Sequence, residues 1–159
     1  MSIGGRKHQP QDDYPDCGTH SRAQFMTQAL DARLDTYHSP VLGIFRIVIG
    51  FLFALHGTAK LFAWPVSQGG AAPVGAWPYW WAGVIELVIG VLVMLGLLTR
   101  VAALIGSGEM AYAYFTEHQP KGLLPIQNGG ELATLYCFAF LLIAFADAGA
   151  FAIQGRRLA

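Results

Sequence analysis

Charge is scarce in this chain: 13% of its 159 residues are Asp, Glu, Lys or Arg, against 54% hydrophobic. A soluble globule carries about a quarter charged residues, so that class is excluded. Formal net charge is zero, which removes the basic field a nucleic-acid partner needs. Cysteine is scarcer still. Cys17 and Cys137 lie far apart and form no CxxC, so dithiol exchange within the chain is not expected. Cys17 and His20 make a CxxH with no second half, short of the full ligand set zinc takes. There is no flavin fingerprint and no haem-ligand pair of histidines in depth register. The opening residues hold no apolar run like that of a signal peptide. The chain is expected to carry no cofactor motif and no metal site of its own.

Long apolar stretches take the place of these features. The first, Leu42 to Phe62, reads LGIFRIVIGFLFALHGTAKLF and carries Arg46, His56 and Lys60. A charge at mid-bilayer depth costs about 2.5–3.5 kcal/mol, so such groups call for partners. Gly43, Gly50 and Gly57 recur every seven residues and fall on one stripe of a helix. Arg46, Phe53 and Lys60 form a second stripe beside it, with His56 on the same face. The glycines would let another helix approach closely, and the charged groups would face that contact. Arg46 and Lys60, near the two ends, could instead snorkel to the headgroups. His56 is too short for that.

The expected fold is all-α, a four-helix transmembrane bundle with both termini cytoplasmic. The spans run from about Val41 to Ala63, Pro78 to Leu98, Val101 to Phe115 and Glu131 to Ile153, each near the ~20 residues a crossing needs. Three parts are expected. Residues 1–38 form a polar segment holding Asp12, Asp13, Asp16, Asp31 and Asp35. Its beginning reads as disordered, and Arg22 to Tyr37 as a short interfacial helix. Residues 39–154 form the membrane domain, with Pro40 starting the first span. Residues 155–159 form a basic tail. Arg6, Lys7, Arg22, Arg33, Arg100, Arg156 and Arg157 fall on one side and Lys121 on the other, which places both termini inside. Trp64, Trp77, Trp80 and Trp81 then read as an aromatic belt at the outer interface, whose bland role is anchoring.

Depth along the helices puts His56, Lys60 and Glu86 at one level. Gly83, Glu86 and Gly90 repeat the glycine-then-charge register of the first span. Glu131 opens the fourth span at the outer edge, Glu109 reaches in from below, and His118 and Asn128 lie in the link between the last two spans. These residues are expected to frame an outer-half polar pocket, with His56 and Glu86 handling protons and Lys60, Glu109, Glu131, His118 and Asn128 contacting a ligand. Arg46 and Asp147, at similar depth near the inner side, are expected to form a structural ion pair. The alternative is that the whole set is an ion-pair network fixing helix register.

The combination of Arg46, Gly50, His56-Gly57 and Lys60-Leu61-Phe62 with Glu86, Gly90, LGLLTRVAA (Leu95–Ala103), Met110 and HQPKGLLPIQNGGE (His118–Glu131) resembles the DoxX family over about residues 41–153. The resemblance implies a small integral membrane protein linked to redox or sulfur metabolism, in a bacterial-type plasma membrane. Relatives include a subunit of thiosulfate:quinone oxidoreductase. Three functions are expected to compete. One is a redox-associated subunit whose pocket takes a quinone head group or small acid, with electrons from a soluble redox partner. The second is a non-catalytic scaffold recruiting soluble redox enzymes, and the third a small solute or proton channel. Besides the lipid bilayer, the expected partner is a redox protein, not nucleic acid.

Overall fold

The computed structural model describes residues 19–67, 69–146 and 148–153, and these are all-α apart from turns and links. Helix α1 is Thr19–Phe62, α2 is Tyr79–Leu95 and α3 is Thr99–Ala113. A wide turn at Tyr114–His118 and a tight one at Gln119–Lys121 lead to a short helix, α4, at Pro125–Asn128, and then to α5 at Glu131–Phe145.

The chain divides into two compact units, Met1–Thr36 and Tyr37–Ala159. In the first, the described side chains from Gln24 onward are exposed, among them the apolar Met26, Leu30 and Leu34. In the second, α1, α2, α3 and α5 share a core built from Phe53, Ile89, Val93, Met110, Tyr136 and Phe140. The Phe53 and Phe140 rings meet edge to face at 4.6 Å, a favoured aromatic arrangement.

Four expected transmembrane helices are corrected to one. Met26–Phe62 is the helix long and apolar enough to cross a membrane among the described residues. At 1.5 Å per residue, the 17 residues of α2 reach about 25 Å and the 15 residues of α3 and of α5 about 22 Å, short of a hydrocarbon core of about 30 Å. Local causes shorten each. Gly96, at φ 72°, ends α2 in a left-handed cap, with Leu97 N–H donating to Leu92 O at 2.9 Å. Helix α3 gives way to the wide turn at Tyr114. The last helix stops at Phe145 rather than near Ile153, because Ala146 turns extended and the chain folds back. Ala150 N–H then donates to Ser39 O at 3.0 Å and Ile153 N–H to Leu95 O at 3.2 Å. Both termini, and with them their expected cytoplasmic placement, lie outside the described residues.

Proline 40 does not begin a helix; α1 runs through it. Proline there removes one backbone donor, the one that would serve the carbonyl a turn earlier. Large apolar side chains face outward along the second unit, including Ile44, Val48 and Phe51 on α1, Leu104 and Ile105 on α3, and Leu135, Phe138 and Leu142 on α5. Soluble monomers rarely expose so much contiguous apolar surface.

The seam between α1 and α2 leaves no room for a side chain at its glycines. A Cβ added at Gly50 would lie 2.6 Å from Met94 N, and one at Gly90 would lie 2.5 Å from Ala54 N. The small residues of the two helices interlock, and this contact sets the depth of every side chain flanking it.

Candidate functional site

His56 and Lys60 are four residues apart on α1 and therefore share one face. Gly57 lies between them, and a Cβ there would sit 2.5 Å from Leu87 N. This proximity of α2 brings Glu86 opposite Lys60. The Lys60 Nζ donates to Glu86 Oε1 at 2.7 Å, with the Glu86 side chain 4% exposed and the Lys60 side chain 28%. The second carboxylate oxygen, Glu86 Oε2, is buried and accepts no hydrogen bond among the described residues.

The ion pair lies on the wall of a cavity of about 190 Å³. Phe53 and His56 of α1, Met110 of α3, His118 of the wide turn, and Ala133 and Tyr136 of α5 are also in the lining. His56 meets the Tyr136 ring edge-on, centroids 5.8 Å apart. Across the cavity, the His118 ring stacks on Tyr114, and its Nδ1 lies 3.2 Å from the Asn128 carbonyl oxygen. A second cavity of about 70 Å³ holds Glu109, with Tyr79, Thr116 and Glu117. A third, of about 460 Å³, follows Gly69, Gly70, Pro73 and Ala76. Lys60 lies on the wall of all three.

Of the residues singled out from the sequence, the structure brings His56, Lys60, Glu86 and His118 to one cavity. Glu109 lies in the neighbouring one, both its carboxyl oxygens buried and without a hydrogen bond among the described residues. Glu131, in the first turn of α5, is exposed and outside the lining. Asn128 is buried, but its side chain is spent on the loop. It donates to Gly122 O at 2.8 Å and accepts from Gly130 N–H at 2.8 Å. Arg46, fully buried, lies elsewhere in the second unit. It donates to the carbonyls of Val93, Met94 (2.8 Å), Ala148 (2.9 Å) and Ala150 (3.4 Å). Its expected partner, Asp147, is outside the described residues. Sequence reasoning missed Tyr136 as a wall of the site. Its place on the buried face of α5 with Ala133 and Phe140, at helical spacing, is the signal that could have found it.

Lys60→Met leaves a buried carboxylate facing apolar atoms. We expect it to cost about 2 kcal/mol, a figure held down by the partial exposure of Lys60. Adding Glu86→Gln to the same chain recovers most of that loss. A double-mutant cycle on thermal unfolding checks it, and additive losses would mean the pair is not coupled.

Residues 41–119 match the DoxX family. An uncharacterized protein of Haemophilus influenzae is 50% identical over 127 residues, covering 77% of this chain and 95% of that protein. No solved structure matches. With half the aligned residues identical across nearly the whole of that relative, and with α1 long and apolar enough for a membrane, the chain is a membrane-associated protein and belongs to the DoxX family.

Proposed function

We propose that the protein is a redox-associated subunit of a bacterial-type plasma membrane, and that the cavity beside the Lys60–Glu86 pair takes a quinone head group or a small acid. The observation that carries this reading is the pair itself, a buried carboxylate held at 2.7 Å by one ammonium on the wall of a cavity otherwise lined by two histidines and apolar or aromatic side chains. A drug-sized ligand needs about 300–1,000 Å³, so a cavity of about 190 Å³ suits a single ring or a short acid. Phe53 and Tyr136 offer faces for a ring to pack on. A soluble redox partner would supply two electrons. Two protons, delivered through His56 and Glu86, would complete reduction of the two carbonyl oxygens, with the Lys60 ammonium polarising one of them.

Quinone reduction in membranes carrying the full chain and its partner tests the reading. His56→Ala and Glu86→Gln are each expected to lower turnover about 10²-fold, the usual worth of a positioned proton donor. Unchanged turnover in both would reject the cavity as the reaction site and leave the scaffold reading standing.

A further inference from the structure

Glu109 is a buried acid that the proposed reaction leaves unused. It lies on α3, both its carboxyl oxygens are buried, and neither has a hydrogen-bond partner among the described residues. It lines the cavity of about 70 Å³ together with Lys60, Tyr79, Thr116 and Glu117. Thr116 and Glu117 follow Glu109 by seven and eight residues, so the cavity runs from the buried acid to the exposed Thr116 beyond the end of α3. Lys60, Met110 and Ala113 line both this cavity and the one of about 190 Å³, and so form the partition between the two. The charged groups whose field acts on Glu109 are Glu86 and Lys60.

Two buried acids thus stand near one ammonium. Lys60 Nζ donates to Glu86 Oε1 at 2.7 Å, which settles the negative charge on Glu86. Were Glu109 ionised as well, it would be a buried anion with no donor and with a second anion nearby, the costliest state for a carboxyl. Holding a proton, it forfeits only the hydrogen bonds of a neutral group. Nothing else in its cavity offers a positive charge. Tyr79 and Tyr112 bring phenols and Glu117 a further acid, while His56 and His118 line the other cavity.

We infer that Glu86 and Glu109 hold one proton between them, that it rests on Glu109 while Lys60 is on Glu86, and that it passes to Glu86 when the ammonium turns to Glu109. In that step an O–H bond breaks at Glu109 and one forms at Glu86. Lys60 keeps its three protons and follows the negative charge, so the cluster stays neutral throughout. Its side chain suits the move, being a flexible stem that is 28% exposed and lies on the wall of both cavities. The Glu109 cavity is then the supply side. A proton arriving past Thr116 and Glu117 reaches Glu109 without crossing the ligand cavity. That Glu86 passes the proton on to a bound ring rests on the proposed quinone site; where the proton resides does not.

Infrared difference spectroscopy of the full chain, in a detergent free of ester carbonyls and at neutral pH, tests this. A protonated carboxyl gives a C=O stretch that shifts in D2O and that a carboxylate lacks. The difference between wild type and Glu109→Gln is expected to contain one such band. Glu86→Gln should lose the same band although Glu109 is still present, because the freed ammonium then pairs with an ionised Glu109. Lys60→Met should add a second band, since neither acid then has a cation. Gln matches a protonated Glu in shape, and thermal unfolding checks that each variant is folded. No band in the difference between wild type and Glu109→Gln means that Glu109 is ionised and overturns the inference. A band that survives in Glu86→Gln means that Glu109 keeps its proton whatever Lys60 does, and overturns the transfer. Both results leave the quinone site intact, because neither measures turnover. Unchanged turnover in His56→Ala and Glu86→Gln would remove that site and leave the shared proton standing.

Discussion

Arg46→Met lowers the melting temperature of the purified protein by about 10–15 °C, the equivalent of about 3–5 kcal/mol for a chain of this size. The size of the effect follows from what the guanidinium holds. Helix α2 ends at Leu95, so the carbonyls of its last turn have no helical donor. Leu92 is served by Leu97 N–H and Leu95 by Ile153 N–H. Val93 receives both Gly96 N–H, at 3.1 Å, and Arg46, and Met94 receives Arg46. The same guanidinium reaches Ala148 and Ala150, which follow α5. One side chain on α1 thus ties the end of α2 to the segment after α5, and its positive charge suits the negative end of the α2 dipole. Arg46→Lys is expected to lose most of the same stability. A single ammonium cannot reach four carbonyls on two elements as a planar fork can. Differential scanning measurements in detergent or nanodiscs check both variants. A melting point within 2 °C or so of wild type would mean that the fork contributes no more than about 1 kcal/mol.

Gly57→Ala disables the site without touching any of its polar groups. The added Cβ would meet Leu87 N at 2.5 Å and Gly83 O at 2.7 Å, both backbone atoms of α2. Neither can rotate away, so the helices must separate. Separation at Gly57 pulls Lys60, three residues on, from Glu86, three residues beyond Gly83. We expect about 3 kcal/mol of lost stability, at the upper end of what overpacking costs. Any turnover that depends on the Lys60–Glu86 pair should fall with it. Gly108→Ala is the control. Gly108 is exposed, a Cβ there meets nothing within 4 Å, and alanine favours a helix by about 0.5–1 kcal/mol. Thermal unfolding of the two variants separates them, and equal effects would mean the seam is not the constraint it looks to be.

The glycine-then-charge register was legible because a seven-residue period survives any small error in helix bounds. Gly50 and Gly57 meet Gly83 and Gly90 as their spacing suggested, and Lys60 meets Glu86. Glu109 and Glu131 were harder. Depth along an axis places a residue at a level and says little about which way it points. Glu131 is at the end of α5 near the site, yet it faces out. Glu109 lines a separate cavity beside Lys60. Asn128, read as a ligand contact, uses its side chain within the loop. Nothing in the sequence distinguishes an amide that meets a ligand from one that closes a turn.

Sequence alone determined that the described residues are helical and the chain apolar, that its first long helix belongs with membranes, and which faces of α1 and α2 touch. Those properties follow from composition and period, which are local. Only the tertiary structure decided how long each helix runs, because the ends are set by Gly96, the turn at Tyr114 and the fold-back after Phe145. It also decided that Arg46 holds carbonyls and that His118 Nδ1 lies beside the Asn128 carbonyl. Both depend on backbone groups distant in the chain, and every residue type presents the same backbone carbonyl.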